Sequence, residues 1–374
     1  MRFVRLLGSM QVAIGALVLL MVLVVYCTLA QVHLGTFGAV EVYMRTWLLW
    51  AAVPGTTLRL PVFPGGITVG LLFAANLVAG MLFRLDRSWR KGGLWLSHLG
   101  LVLLVGGEFM AGALSRESNL AFEEGETKNW TESQRRWEVV LVDPTAKDRD
   151  RVYALSDRRL LRGGRIADAR LPVTVEVKAA HGNAQLVQWK SADGASPAAD
   201  RGPGRFLRVL PLPVQSADDA VNAPAAIIGL AAGATALGTW LVAADLPPQP
   251  VEAGGRHLLV SLRAERTYLP FTLTLKDFTH DIYPGTDIPK NFSSLVRLDD
   301  AGAGENRDAL IWMNHPLRYR GLTFFQASFG RDDKLSILQV VRNPGWRIPY
   351  ISCALVALGL AWHFLLLLRG SPRP

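Results

Sequence analysis

LLGSMQVAIGALVLLMVLVVYCTLA, residues 6–30, decides the class of this protein, because the stretch is strongly apolar and carries no charge. Roughly 20 consecutive apolar residues are enough for an α-helix to cross a hydrocarbon core of about 30 Å. Three later stretches have the same character: 67–83, 93–114 and 348–368. The sequence therefore predicts a membrane protein with about four transmembrane helices.

A signal peptide is the competing interpretation of the first stretch, because basic residues precede an apolar run. The run is long for a signal peptide, and no small-x-small cleavage site ends it cleanly. We therefore expect a retained membrane anchor.

Basic residues flank the apolar runs and predict their orientation. The flanking residues are Arg2, Arg5, Arg84, Arg87, Arg90, Lys91, Arg369 and Arg373. Cytoplasmic loops carry an excess of Lys and Arg, which places both termini and the loop 84–92 inside. Loop 31–66 and a long segment, 116–346, then lie outside. The predicted domains are 1–115 with three helices, 116–346 outside the membrane, and 347–374 with a closing helix and a tail.

Within loop 31–66, residues 42–52 are rich in aromatic side chains, with Tyr43, Trp47 and Trp50. Aromatic and apolar side chains at a membrane boundary are typical of interfacial helices. We expect an amphipathic helix lying on the outer leaflet.

Segments of the outer domain alternate with a period near two, as half-buried strands do. Those segments are 137–142, 173–177, 258–262, 271–275, 322–328 and 335–341. Short strands without intervening helices predict a large all-β domain, either a sandwich or an irregular barrel. The uncharged stretch 223–244 fits either a strand and turn inside this domain or a fifth span. We prefer the strand and turn, since no Lys or Arg lies close to either end.

Composition excludes several classes of function. The net charge of +9 comes largely from residues beside the apolar runs, and no basic face with interleaved aromatics indicates nucleic-acid binding. Cys27 and Cys353 both lie inside apolar runs, which excludes a disulfide framework in the outer domain. No catalytic triad, phosphate loop or paired-carboxylate pattern stands out, so an independent enzyme is not predicted.

Two long stretches of the outer domain resemble the ResB-like (CcsB-type) cytochrome c biogenesis proteins of system II. They are 277–294, which contains YPGTDIPKNFSS, and 313–329, MNHPLRYRGLTFFQASF. The stretch 91–100, ending in LSHLG, also resembles the family. Three N-terminal spans, a long outer domain and a closing span are the ResB arrangement.

The resemblance implies a subunit of a cytochrome c synthase complex in a bacterial inner membrane, with the large domain facing the periplasm. Its implied partners are a ResC/CcsA-type membrane protein, apocytochrome c and the bilayer. The complex moves haem b outward for attachment to apocytochrome c. The partner's tryptophan-rich haem-binding motif is missing from this chain, so the resemblance implies one half of the complex.

Two histidines lie inside apolar runs, where polar groups are costly and mark function: His98 and His363. Each lies about 10 Å from the cytoplasmic charges at 1.5 Å per residue, which predicts a shared level. Two imidazoles at one level suit the axial positions of a haem iron. The resemblance supports His98 alone, and it implies that a histidine of the partner is the second ligand. The alternative is that each histidine bonds a neighbouring helix or reaches the interface.

Two other functions remain open from the residues. One is a structural membrane scaffold for the partner that does not touch haem. The other is an extracytoplasmic binding or sensor module, which is disfavoured because the cytoplasmic segments are short.

Overall fold

The computed structural model describes residues 2–145, 149–190, 196–216, 221–285, 289–330 and 334–370. Its contacts divide the chain into two units. A helical unit contains the described residues of Met1–Arg116, Ser216–Ala220 and Arg342–Pro374, and a β-rich unit contains those of Glu117–Gln215 and Val221–Val341. The sequence placed the corresponding divisions after residues 115 and 346, and the contacts place them after Arg116 and Val341.

Apolar sequence forms the long helices of the helical unit. The helices of the chain are α1 (Arg2–Leu7), α2 (Met10–Ala39), α3 (Gly66–Phe83), α4 (Gly92–Leu114), α5 (Asp157–Leu160, in the β-rich unit) and α6 (Ile348–Gly370). In the described part of the chain, four segments are long and apolar enough to cross a membrane: Met10–Met44, Gly66–Phe83, Trp89–Leu114 and Ile348–Arg369. Large apolar side chains such as Leu29 and Leu365 are exposed on them, as lipid-facing residues are. The predicted number of spans is confirmed.

The first span begins later than the sequence predicted. The helix is interrupted at Gly8 and Ser9, between α1 and α2. The Ser9 hydroxyl accepts a hydrogen bond from the Val12 amide and caps α2. The buried Asn76 of α3 donates its amide to the carbonyls of Leu7 and Ser9. The first bond satisfies the Leu7 carbonyl at the interruption, and the second adds to the bond that the Ser9 carbonyl accepts from the Ala13 amide.

The predicted interfacial helix at 42–52 is wrong. Helix α2 kinks at Gly35, which adopts φ 67°, and ends in a π-helical turn, Val40–Met44. Two strands follow, β1 (Leu48–Ala52) and β2 (Arg59–Pro64), and they form an antiparallel hairpin. Pro54 disfavours helix at the preceding residue. The segment 48–52 pairs instead with 59–64, and the pattern of residues within 42–52 does not reveal that pairing.

The β-rich unit is almost entirely antiparallel sheet. Its strands are β3 (Arg116–Glu123), β4 (Thr127–Asp143), β5 (Arg151–Ser156), β6 (Gly164–Ile166), β7 (Thr174–His181), β8 (Ala184–Gln188), β9 (Leu207–Pro211), β10 (Ala225–Ala232), β11 (Thr235–Ala243), β12 (Gln249–Ala253), β13 (Arg256–Ile282), β14 (Pro289–Asp300), β15 (Glu305–Trp312), β16 (Leu317–Tyr319), β17 (Leu322–Gly330) and β18 (Leu335–Arg342). The predicted strands lie within β4, β7, β13, β17 and β18.

One strand, β13, replaces the two strands predicted at 258–262 and 271–275. It runs for 27 residues and contains Pro270. Its pairing with β4 shifts between Tyr268 and Leu273, so the proline lies at an irregularity rather than in a regular ladder. The strand pairs with β12 before this point, with β14 after it, and with β4 on both sides of it.

The largest sheet has ten strands, ordered β15-β14-β13-β4-β3-β18-β17-β16, with β12 and β5 paired to β13 and β4. Ser294 of β14 nevertheless hydrogen-bonds Gln326 of β17, which is distant in that order, over 2.6 Å. The sheet therefore curls into a nearly closed barrel. Phe122, Leu273, Leu298, Phe324 and Leu338 fill its core.

A second core lies under the other half of β4 and β13. Val139, Val175, Ile228 and Val260 are buried there, against the four-stranded sheet β11-β10-β7-β6. The uncharged stretch 223–244 forms β10 and β11 of that sheet, which confirms the strand-and-turn interpretation. The fold is thus the predicted membrane protein with a large β domain, of the irregular-barrel kind.

Candidate functional site

Helices α4 and α6 pack closely because glycines lie at their contact. A side-chain carbon added at Gly93 would lie 2.4 Å from the Gly359 carbonyl oxygen, and one at Gly100 would lie 2.8 Å from that of Ser352. No larger residue fits without a backbone shift. Since Gly93 lies beside Gly359 and Gly100 beside Ser352, the two helices run antiparallel.

His98 lies on α4, outside this contact. It is five residues after Gly93, which places it about 140° further around the helix. Its ring is half-buried, and Nδ1 lies 2.9 Å from the Leu94 carbonyl oxygen, one turn earlier on the same helix. A carbonyl only accepts, so Nδ1 carries a proton. In the neutral tautomer that this bond selects, Nε2 is the acceptor nitrogen.

His363 lies on α6 and is also half-buried. Its Nδ1 is buried and has no hydrogen-bond partner among the described residues. The ring lies 5.7 Å from that of Phe364, centroid to centroid. A buried ring nitrogen without a hydrogen-bond partner is costly inside a protein. Binding of a polar group or an iron by His363 therefore stays a prediction.

The structure does not bring the two histidines together. Ser97 Oγ lies 3.4 Å from the Val356 carbonyl oxygen, so His98 is level with about Val356. His363 is seven residues further along α6, or about 10 Å. The expected shared level is therefore wrong. Their separate assignments as haem ligands stay predictions.

The error came from the flanking charges. Gly93 lies between Gly359 and His363, so His363 is nearly level with Lys91 itself. Helix α6 continues past that level to Arg369. Lys91 and Arg369 therefore do not lie at one depth. Counting residues from Lys91 to His98 and from Arg369 to His363 placed the two histidines at the same level only because the two charges were assumed to share a depth.

The two stretches of the outer domain that resembled the family meet in an aromatic cluster. His280 of β13 lies 4.1 Å from Phe329 of β17, and Phe292 of β14 lies 5.7 Å from Phe329. Strand order alone could not show this, because β13 and β17 meet only when the sheet curls. Residues 286–288 of the first stretch lie outside the described residues.

His315 lies in a turn, as the neighbouring Asn314 and Pro316 suggested. Asn314 adopts φ 63°, and the His315 ring stacks on Trp312 at 4.0 Å. No group of three or more His, Cys, Asp or Glu side chains could hold a metal ion in the described ranges.

Sequence reasoning missed Asn76. An amide inside the apolar run of α3 was a visible signal, since intramembrane polar groups need partners. Its bonds to Leu7 and Ser9 show a structural role at the start of the first span.

Two comparisons with known proteins point to one family. Residues 251–338 match the ResB-like family model. A stretch of 97 residues, 26% of the chain, is 40% identical to the protein NrfI of Wolinella succinogenes. That match spans about a tenth of the length of NrfI, at 11%. The family match runs from β12 to β18 and includes the stretches 277–294 and 313–329, so the resemblance to the ResB-like family is confirmed for residues 251–338.

Proposed function

We propose that this chain takes part in cytochrome c biogenesis, as the ResB-like subunit of a system II complex that carries haem b across a bacterial inner membrane. The observation that carries the proposal is the match of residues 251–338 to the ResB-like family. The four apolar helices and the barrel-like domain support it, because such a subunit needs both a membrane part and an extracytoplasmic part.

His98 is the proposed axial ligand for the transported haem. Iron in haem accepts the lone pair of a neutral imidazole. The bond between Nδ1 and the Leu94 carbonyl fixes the tautomer that leaves Nε2 free for it. Such a second hydrogen bond is the usual way that a ligating histidine is oriented. The carbonyl that orients the ring lies on α4 itself, one turn before His98.

The second axial ligand comes from the partner in this proposal. His363 is offset from His98 by about 10 Å along the helix axis, so the shared level that suggested pairing the two is lost. A ResC/CcsA-type membrane protein would supply the histidine and the tryptophan-rich haem surface. The β-rich unit would face the periplasm and receive apocytochrome c. This chain alone is therefore not proposed as an enzyme.

The experiment compares wild type, His98→Ala and His363→Ala, each expressed with the partner in a host lacking every other maturation system. His98→Ala should lose most of the haem that copurifies with the complex and should abolish cytochrome c maturation. The loss follows from removing one axial ligand, and external imidazole should partly restore both.

His363→Ala is the matched control, since it also removes an imidazole from a candidate spanning helix. It should keep most of its haem and its maturation activity. Full haem content and full activity in His98→Ala would show that the histidine is structural. Maturation by this chain without any partner would refute the subunit assignment.

A further inference from the structure

The β1–β2 hairpin exposes apolar side chains on both of its faces. Trp50 is 58% exposed and pairs with Pro61, while Leu60 is 48% exposed and pairs with Ala51. Adjacent residues of a strand point to opposite faces, so Trp50 and Leu60 lie on different sides. Within 47–64 the only charged residue is Arg59. A surface of this kind needs a cover, because exposed apolar patches are unfavourable in water.

The base of the hairpin is fixed to the first turn of α3. The Gly65 amide donates to the Trp47 carbonyl over 2.8 Å, and Thr68 Oγ1 donates to the same carbonyl over 2.6 Å. The Ile67 amide donates to the Thr46 carbonyl over 3.3 Å. No flexible linker separates the hairpin from the span, so the level of α3 determines the level of the hairpin.

Helix α3 is barely long enough to cross a bilayer. Its 18 residues extend about 27 Å, close to the hydrocarbon thickness of about 30 Å. Its first residue, Gly66, therefore lies at the boundary between acyl chains and headgroups. The hairpin begins at this boundary.

The unpaired backbone groups of the hairpin further limit the depth at which it can lie in the membrane. β1 and β2 form a two-stranded sheet, and among the described residues no third strand pairs with either edge. Unpaired amides and carbonyls are excluded from the hydrocarbon core, where nothing satisfies them. They are satisfied in the interfacial zone, which is also where tryptophan side chains concentrate in membrane proteins.

We propose that the β1–β2 hairpin lies in the lipid interface as a wedge, with Trp47, Trp50, Leu60 and Val62 among the acyl chains and the strand edges at the headgroups. Its partner is thus the lipid of the leaflet where α3 begins. The hairpin lies between α2 and α3 along the chain, and both helices expose apolar side chains such as Leu29 and Leu71. This continuity with two candidate spans favours lipid over a partner protein.

The test uses single-cysteine variants of the full chain, with Cys27→Ala and Cys353→Ala as background, in phosphatidylcholine–phosphatidylglycerol vesicles. A nitroxide label is placed at Leu60→Cys and, separately, at Val62→Cys. Leu71→Cys on the exposed face of α3 is the lipid control, and Ala303→Cys in a β-domain turn is the water control. Collisions with oxygen report lipid, and collisions with a neutral nickel chelate report water.

Both hairpin labels should show an oxygen-to-nickel ratio near that of Leu71→Cys and several-fold above that of Ala303→Cys. A ratio equal to that of Ala303→Cys would place the hairpin in water and overturn the proposal. Low accessibility to both reagents would show that protein, either this chain or a second copy, covers the hairpin, and would overturn it too. Neither outcome depends on haem, so the proposed function stands or falls separately.

Discussion

Asp300 shows what a single residue does at the rim of the barrel. Its carboxylate is buried and accepts hydrogen bonds from Tyr319 Oη at 2.9 Å, Arg320 Nε at 2.5 Å and the Ala303 amide at 3.1 Å. Burial by itself raises the pKa of this carboxyl. The three donors and the charge of Arg320 outweigh it and hold the pKa of Asp300 below its usual value.

The same cluster holds a strained turn. Arg320 has φ 46° and Gly321 has φ 76°, the signs that a two-residue hairpin turn requires. Glycine adopts this region freely, whereas arginine rarely does. The ion pair with Asp300 therefore stabilises a backbone conformation that Arg320 would not choose alone.

Asp300→Asn should lower the melting temperature at pH 7, because an amide removes the negative charge and one acceptor oxygen. A carboxyl with a lowered pKa stabilises the fold above the unfolded value of about 3.9, and this stabilisation is lost as the pH falls through the folded pKa. The difference from wild type should thus shrink below about pH 4. Thermal unfolding of the full chain in detergent measures it.

Asp299→Asn is the matched control at the residue scale. Asp299 precedes Asp300 but is exposed, and the described bond of its carboxylate is the one that it accepts from Asn306. Its substitution should change stability by less than about 0.5 kcal/mol, as exposed positions do. A difference for Asp300→Asn that stays constant from pH 7 to pH 3 would contradict the role given to its charge.

At the scale of elements, the α4–α6 pair depends on glycine. Gly93→Ala should destabilise the protein by about 1–3 kcal/mol, the usual cost of overpacking, because the new carbon would meet the Gly359 carbonyl at 2.4 Å. Gly106→Ala is the control on the same helix, where the added carbon meets nothing within 4 Å. It should be neutral or up to about 1 kcal/mol more stable, since alanine favours helix.

Denaturation of both variants in detergent micelles decides between close packing and a general sensitivity of α4. Equal losses in Gly93→Ala and Gly106→Ala would show that the contact with α6 is not the cause. The contact matters for the site, since it sets the offset of about 10 Å between His98 and His363.

Local pattern predicted the elements that a local pattern determines. The four spans, the strands around Val139 and Phe324, and the hairpin at 223–244 follow from runs and alternations within each segment. The long strand β13 did not follow, because Pro270 reads as a strand end unless its irregular pairing with β4 is known. The β1–β2 hairpin was missed for a similar reason, because β2, the strand that pairs with β1, lies outside the aromatic-rich segment 42–52.

The candidate site shows the same division. His98 was identifiable as a polar residue in an apolar run, and its tautomer depends on Leu94, one turn away. The level of His363 depends on how α6 slides along α4, which is a property of glycine contacts between distant parts of the chain. The meeting of His280 with Phe329 likewise depends on the closure of the barrel.

For the whole molecule, the distribution of charge predicts how the chain sits in a membrane. The loop between α3 and α4 carries four basic residues, Arg84, Arg87, Arg90 and Lys91, and one acidic residue, Asp86. Short loops of this composition stay in the cytoplasm. Only α4 joins this loop to the β-rich unit along the chain, so a single crossing by α4 predicts that the two are on opposite sides of the membrane.

Single cysteines in the background Cys27→Ala, Cys353→Ala test this arrangement in cells with a permeabilised outer membrane. Ser88→Cys reports the exposed loop, and Ala303→Cys reports an exposed turn of the β-rich unit. A membrane-impermeant maleimide should label Ala303→Cys at once and Ser88→Cys only after the inner membrane is lysed, because the positive loop is retained inside. Labelling of Ser88→Cys in intact inner membranes would reverse the orientation, and the β-rich unit could then not receive apocytochrome c in the periplasm.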